Sequence, residues 1–77
     1  MKVIKEQLDQ LIGMNVRKER LARELSIDEL AELLGYTPSA VVLIEQGRRG
    51  TSALTLYKLS NIFSVPVDYF FESVKNE

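Results

Sequence analysis

Residues 26–47 read SIDELAELLGYTPSAVVLIEQG, and the pattern in this stretch decides the fold. Ser26 and Glu29 form the pattern of a capping box, in which the serine oxygen accepts from the glutamate N–H and the glutamate side chain reaches back. Gly35 follows the last apolar residue, where glycine supplies the left-handed conformation that a helix end needs. We therefore predict a short helix between Ser26 and Gly35.

A second short helix follows after a turn of only three residues, 35–37. Thr37 is a good N-cap, and Pro38 suits the first helical position, where its missing N–H costs nothing. This helix is predicted over 38–46. Two short helices joined by a glycine-containing turn make a helix-turn-helix motif, which we place at about 27–46.

The rest of the chain also has helical spacing. Apolar residues recur in a helical rather than an alternating pattern over 2–24, with Gly13 as a candidate break between two helices. Further helices are predicted over about 52–63 and from Pro66 onward. We expect an all-α, compact five-helix fold with a short N-terminal helical extension.

The composition is that of one small globular domain. The 77 residues are 45% hydrophobic and 27% charged, which is too apolar for a disordered chain. The longest apolar run, 40–44, is far too short to span a membrane, and residues 1–6 lack the pattern of a secretory signal. With no cysteine for a disulfide framework, a cytoplasmic protein is expected.

Histidine and cysteine are both absent, which limits the chemistry that the chain can carry out. The usual zinc ligands, the commonest general base and the most reactive nucleophile are therefore missing. No glycine-rich phosphate loop, His-containing metal motif or nucleophile elbow appears in the sequence. We expect no enzyme activity, no metal, no cofactor and no small-molecule ligand.

The net charge of −1 is close to neutral. Many nucleic-acid-binding domains are basic, so a DNA-binding chain of this charge needs a local basic patch. The candidate patch consists of Arg17, Lys18, Arg23, Arg48 and Arg49. The alternative is that these side chains are solvated and balanced by nearby acids, namely Glu19, Glu24, Asp28, Glu29 and Glu32.

From about residue 12 to residue 71 the chain resembles the Cro-type and phage-repressor-type helix-turn-helix proteins, also called the XRE family. Short matches in the right order carry this resemblance: Ile12-Gly13, Val16-Arg17, Arg20, Leu25-Ser26, Leu30-Ala31, Gly35-Tyr36-Thr37, Val41, Ile44-Glu45-Gln46-Gly47, Arg48-Arg49-Gly50, Leu59 and Val65-Pro66-Val67-Asp68-Tyr69. The resemblance implies a lambda-repressor-like DNA-binding domain at 12–71, with an N-terminal extension at 1–11 and a tail at 72–77.

The resemblance also implies how the motif meets DNA. The helix at 38–46 is the recognition helix, which enters the major groove while the preceding helix presses on the backbone. Gln46, Arg48 and Arg49 are expected to hold the backbone at the C-terminal end of the recognition helix. The full set of expected DNA contacts is Arg17, Ser26, Ile27, Thr37, Pro38, Ser39, Ala40, Leu43, Gln46, Arg48 and Arg49.

Two departures from the family pattern bear on how bases are read. Ile27 stands where members of the family often carry a glutamine that meets a phosphate. The recognition helix has no Arg, Lys, Asn or Gln before Gln46, although those side chains make most strong base contacts. Ser39 can offer a hydroxyl instead, while Ala40 and Leu43 can contact thymine methyl groups.

Two further expectations concern residues away from DNA. The resemblance implies a largely buried ion pair between Arg20 and Glu45, which ties the first helix to the recognition helix. Without the resemblance, two ordinary surface charges would be the better interpretation. Tyr69, Phe70 and Phe71 are the expected interface of a symmetric dimer, and their alternative place is the core of the single domain.

These inferences lead to two hypotheses of function. The first is a bacterial or phage transcriptional regulator, with repression favoured, that binds a palindromic operator in double-stranded DNA as a homodimer. It would act in the cytoplasm, at the nucleoid, without a membrane. The alternative is a protein-interaction module on the same scaffold, such as an antitoxin or an antagonist of another regulator, with weak or no DNA binding. The few residues after 71 indicate either a bare DNA-binding regulator or part of a larger protein.

Overall fold

The computed structural model describes residues 4–73 as four α-helices followed by a short 3-10 helix. The elements are α1 (Lys5–Ala22), α2 (Ile27–Leu34), α3 (Pro38–Glu45), α4 (Ala53–Phe63) and the 3-10 helix Val67–Phe71. Within this part of the chain there is no strand, and no helix is long and apolar enough to cross a membrane. Residues 1–3 and 74–77, which belong to the expected extension and tail, lie outside the described residues.

The two helices of the motif begin and end where their capping residues predict. Ser26 Oγ accepts a hydrogen bond from Glu29 N at 3.0 Å, and Glu29 Oε1 accepts from Ser26 N at 2.8 Å. Gly35 ends α2 with φ 76° and ψ 30°. Thr37 Oγ1 accepts from Ala40 N at 3.2 Å at the start of α3. These caps satisfy N–H groups that a first helical turn leaves unpaired, and the helix-turn-helix motif is confirmed.

Of the two possibilities at Gly13, a break is excluded, because α1 continues through this residue as one helix. Here α1 crosses the C-terminal end of α3 so closely that a Cβ atom on Gly13 would lie 2.2 Å from Ile44 O and 2.7 Å from Glu45 O. The missing side chain permits this approach, and packing offsets the roughly 1 kcal/mol that glycine costs inside a helix. Residues 5–11, which belong to the expected N-terminal extension, therefore form the start of α1.

The expected fifth α-helix is also wrong, because the C-terminal segment forms only the 3-10 helix Val67–Phe71. Asn15, buried on α1, donates from Nδ2 to Phe70 O at 2.9 Å and to Glu72 O at 2.8 Å. Glu72 is already extended, with φ −83° and ψ 141°. The side chain of Asn15 thus donates hydrogen bonds to backbone carbonyl groups at the point where the 3-10 helix ends.

One hydrophobic core holds the helices together. Phe63 of α4 and Phe70 of the 3-10 helix are fully buried, with ring centroids 6.4 Å apart. Because Phe70 is inside the core, it is not on a surface that a partner could contact, and its expected place in a dimer interface is wrong. The buried apolar residues are Ile12, Val16, Leu30, Ala31, Leu34, Ala40, Val41, Ile44, Leu59, Phe63 and Phe70.

Candidate nucleic-acid interface

The recognition helix α3 has one buried side and one exposed side. Val41 and Ile44 belong to the core, and Ala40 is only 7% exposed. Since Ala40 lies one turn before Ile44 on the same side of the helix, its expected contact with bases is wrong. Val42 and Leu43 are 37% and 38% exposed, so Val42 occupies a surface position that the sequence had not assigned to DNA.

A cleft of about 200 Å³ lies beside the exposed side of α3. It is lined by Arg17 and Arg20 from α1, Ile27 from the start of α2, and Val42, Glu45 and Gln46 from the end of α3. Ile27 is half-buried and also packs on the core, so it offers the cleft an apolar surface. The cleft brings the expected contacts Arg17, Ile27 and Gln46 together on one face of the domain.

Arg20 and Glu45 form the ion pair that the resemblance implies. Arg20 Nε and Nη2 donate to the two carboxylate oxygens of Glu45 at 2.7 and 3.1 Å. Arg20 Nη1 donates to Leu25 O, just before α2, at 2.8 Å. The two side chains are only 10% and 5% exposed. One guanidinium thus fixes α1, α3 and the start of α2 relative to one another, which are the three walls of the cleft.

One side chain of the expected basic patch forms an ion pair within the domain, and the others have no carboxylate partner in the described part of the chain. Arg23 forms an ion pair with Glu19 and donates to Phe63 O, so its charge is held within the domain. Lys18 Nζ lies 5.8 Å from the centroid of the Tyr69 ring. Among residues 4–73, the exposed arginines without a carboxylate partner are Arg17, Arg48 and Arg49. Together with Lys18, which is exposed and has no carboxylate partner in this part of the chain either, these three carry positive charge that is available to an anion.

Arg49, which is expected at the C-terminal end of the recognition helix, contacts the turn that precedes this helix. Its Cζ atom is 5.5 Å from the centroid of the Tyr36 ring, in the turn between α2 and α3. Tyr36 directly precedes Thr37, the N-cap of α3. The charge of Arg49 therefore lies against the turn that precedes α3, whose first residues Thr37, Pro38 and Ser39 are exposed.

The loop after α3 is packed against the first half of α1. Gly47 has a φ of 72°, and a Cβ atom there would lie 2.6 Å from Gln10 Cγ and 2.7 Å from Gln10 Cα. A Cβ atom on Gly50 would lie 3.2 Å from Lys5 Nζ. These contacts join residues that are far apart in the chain. No pattern of neighbouring residues predicts such contacts, so the packing of α1 on this loop was not predictable from the sequence.

Apolar surface remains on α4 and the 3-10 helix. Phe71 is 40% exposed, whereas Tyr69 is half-buried and donates a hydrogen bond to Glu19. On α4, Leu54 and Tyr57 are exposed about one turn apart. Of the three residues expected at a dimer interface, Phe71 is thus the well-exposed one. Leu54 and Tyr57 provide further exposed apolar surface, which the sequence analysis does not assign to an interface.

The hydrogen bond between Tyr69 and Glu19 shifts the pKa of both groups. Burial, together with the bond to the carboxylate, raises the pKa of Tyr69 to about 12. Burial also acts to raise the pKa of Glu19, but hydrogen bonds from Tyr69 and Arg23 outweigh it and hold that pKa below its ordinary value. A neutral phenol and an ionised carboxylate are therefore the favoured pair, and they join the 3-10 helix to α1.

A helix-turn-helix whose second helix is exposed beside available arginines is the arrangement of a DNA-binding domain. A family model described as helix-turn-helix matches residues 16–70. The chain belongs to this family, of the XRE type. Its fold is similar to that of the restriction-modification controller protein C.AhdI from Aeromonas hydrophila, with a TM-score of 0.75 and 30% identity over 82% of this chain and 96% of that one.

Relatives of the chain are named as transcriptional regulators, not as enzymes. The chain is 34% identical over 68 residues to an uncharacterized transcriptional regulator in the ATPase CF(0) region of Rhodospirillum rubrum, covering 88% of the chain and 63% of that protein. It is 35% identical over 67 residues to the uncharacterized HTH-type transcriptional regulator YqaE of Bacillus subtilis (strain 168), covering 87% and 58%. The chain thus spans about three-fifths of the length of these relatives.

Proposed function

We propose that the chain is the DNA-binding part of a bacterial or phage transcription regulator that inserts α3 into the major groove of double-stranded DNA. The observation that carries the proposal is the exposed side of α3 with available arginines around it. Arg17 lies beside the cleft, and Arg48 and Arg49 follow α3. Together with Gln46, these side chains can hold phosphates while α3 faces the bases.

Base readout in this proposal depends mainly on apolar contacts. Val42 and Leu43 can pair only with apolar groups, and the thymine methyl is the principal apolar group in the major groove. The exposed hydroxyl of Ser39 adds a hydrogen bond to a base edge or a phosphate. Thr37 and Pro38 are exposed at the same helix end, which attracts phosphate. We therefore expect operators with A·T pairs opposite Leu43.

The start of α2 supplies a further backbone contact. Ser26 Oγ accepts from Glu29 N, which leaves its O–H free to donate to a phosphate. Ile27 adds an apolar contact at the mouth of the cleft. Asp28 and Glu29 also lie in this first turn and weaken its attraction for phosphate, so the arginines carry most of the electrostatic attraction.

The regulator acts in this proposal as a symmetric homodimer on a palindromic operator, with half-sites about one helical turn apart. The exposed apolar side chains of Phe71, Leu54 and Tyr57 support an interface on the surface of α4 and the 3-10 helix. We expect the regulator to repress by occupying the operator. Binding to the chromosome would hold the regulator in the cytoplasm, at the nucleoid.

A second candidate function is a protein-interaction module on the same scaffold. The exposed and apolar side of α3 favours it, because Val42 and Leu43 would suit a protein surface as well as a thymine. The net charge of −1 also favours it over DNA binding. An antitoxin or an antagonist of another regulator would use α3 in this way. Binding to duplex DNA separates the two functions.

Selection of bound sequences from random duplex DNA tests the proposal. We expect the parent to enrich a palindromic site, and Leu43→Ala to lose roughly 1–3 kcal/mol of preference at one base pair in each half. Leu33→Ala is the matched control, since Leu33 is 56% exposed on α2 and does not line the cleft. No enrichment by the parent, or a Leu43→Ala variant that binds DNA normally but loses a protein partner, would favour the second function.

A further inference from the structure

Tyr36 brings two cations to the turn that precedes the recognition helix. The Cζ atom of Arg49 and the Nζ atom of Lys58 each lie 5.5 Å from the centroid of its ring. A cation within about 6 Å of an aromatic centroid is attracted by the electron-rich ring face. Because Tyr36 directly precedes Thr37, the N-cap of α3, both cations lie against the turn that leads into that helix.

The ring of Tyr36 is held in place by contacts that do not involve Arg49. Its hydroxyl shares a hydrogen bond with the buried hydroxyl of Thr55 on α4, and the side chain packs on the core. Lys58 Nζ donates to Leu34 O at the end of α2, at 3.1 Å. Lys58 is thereby engaged within the domain, and the ring presents a fixed surface to the remaining cation.

Arg49 differs from Lys58 in having no competing partner. Among residues 4–73 its guanidinium forms no hydrogen bond and no ion pair, and its contact is the Tyr36 ring. Arg48, the adjacent arginine, is exposed as well but lies over no aromatic ring in the described part of the chain. The two neighbours carry the same charge and differ in this one contact.

We propose that Tyr36 is a positioning residue for DNA binding, which holds the guanidinium of Arg49 near the N-terminal end of α3 so that it meets a backbone phosphate there. The ring restricts the rotamers of Arg49 before DNA arrives, so less side-chain freedom is lost on binding. In this proposal the positive end of the α3 dipole acts on the same phosphate. This inference rests on the proposed function, because it assigns a task to one of the arginines at that interface.

A double-mutant cycle measures the coupling directly. Binding of a fluorescently labelled duplex of mixed sequence is followed by anisotropy, since phosphate contacts do not depend on sequence. We expect Tyr36→Leu to weaken binding about two- to fivefold, the range for an exposed cation–π contact. In the Arg49→Ala background the same substitution changes nothing further, whereas in the Arg48→Ala background the two- to fivefold loss persists.

Two controls separate positioning from folding. Tyr36→Phe keeps the ring but loses the hydrogen bond to Thr55, and we expect it to retain the affinity of the parent. The δ protons of Arg49 should show an upfield ring-current shift in the free parent protein, and Tyr36→Leu should remove it. Circular dichroism of each variant establishes that the helices are intact.

Several outcomes would overturn the inference. It is wrong if Tyr36→Leu weakens binding equally in both arginine backgrounds, if Tyr36→Phe behaves like Tyr36→Leu, or if Arg49 shows no ring-current shift in the parent. If the parent binds the duplex but the effects of Tyr36→Leu and Arg49→Ala are additive, the role of Tyr36 is wrong and the proposed function stands. A parent that binds no duplex at low salt removes the proposed function, and the role of Tyr36 with it.

Discussion

Removing Glu45 would leave the guanidinium of Arg20 in a nearly buried site with Leu25 O as its remaining partner. A buried charge that loses its partner costs about 3–5 kcal/mol, whereas a surface pair contributes at most about 1 kcal/mol. We expect Glu45→Ala to lower the free energy of unfolding in urea by about 3–5 kcal/mol. Glu32→Ala removes an exposed carboxylate from α2 and should change it by less than about 0.5 kcal/mol. Equal midpoints for Glu45→Ala and the parent would contradict the buried pair.

Two opposing effects meet at Gly13, which makes its replacement informative. Alanine is the better helix former by roughly 1 kcal/mol, but its Cβ atom would lie 2.2 Å from Ile44 O. Relieving this overlap moves the α1 and α3 backbones apart, at a cost of about 1–3 kcal/mol. We therefore expect Gly13→Ala to be less stable than the parent in urea, while Gln7→Ala at an exposed position of α1 stays within about 0.5 kcal/mol. A more stable Gly13→Ala would mean that helix propensity decides the outcome.

At the level of the helices, the elements with local signals were predictable from the sequence. The hydroxyls of Ser26 and Thr37 each accept from a backbone N–H three residues ahead, so a few consecutive residues specify where α2 and α3 begin. The continuity of α1 through Gly13 was not predictable, because it depends on the end of α3. The short 3-10 helix was not predictable either, because its end depends on hydrogen bonds from Asn15 to carbonyl groups more than fifty residues later in the chain.

The burial of Tyr69, together with its hydrogen bond to Glu19, gives the 3-10 helix a pH dependence. The pKa of Tyr69 is raised from 10.0 to about 12, so the folded state favours the neutral phenol. Stability from this group is complete below about pH 10 and is lost as the pH rises toward 12. We expect the difference in urea midpoint between the parent and Tyr69→Phe to shrink across that range.

The control for this pH dependence is Tyr57→Phe, at an exposed position on α4. It should follow the parent at every pH, because its hydroxyl has no hydrogen-bond partner among residues 4–73. A midpoint difference for Tyr69→Phe that stays constant between pH 10 and pH 12 would show that folding does not raise the pKa of Tyr69.

For the molecule as a whole, the resemblance predicts which helix faces DNA, but it does not predict which side chains around that helix are buried or engaged. Ala40 is on the buried side because α3 turns it toward the core, one turn before Ile44. The segment that places Phe70 in the core is fixed by Asn15, which donates to Phe70 O from far away in the sequence. Arg49 lies against the ring of Tyr36, which belongs to a different turn of the chain. Composition and short-range spacing contain no information on such partners.

The proposed dimer rests on apolar surface that the single domain leaves uncovered. Phe71 is 40% exposed, which favours burial in a symmetric contact with a second copy. We expect the parent to sediment as a dimer at micromolar concentration and Phe71→Glu as a monomer, because a buried carboxylate would be unpaired there. Leu33→Glu, at an exposed leucine on α2, should remain dimeric. A monomeric parent at that concentration would rule out the dimer.

The central claim is that the exposed side of α3 meets duplex DNA between available arginines, and the salt dependence of binding tests it most directly. For the parent, the logarithm of the association constant should fall linearly with the logarithm of the salt concentration. Arg48→Ala combined with Arg49→Ala should bind every sequence more weakly, with a slope smaller by about 0.9 for each phosphate that is no longer neutralised. Arg23→Gln removes an arginine that Glu19 already engages and should keep the slope of the parent. No binding by the parent at low salt, or an unchanged slope in the double variant, would contradict the claim.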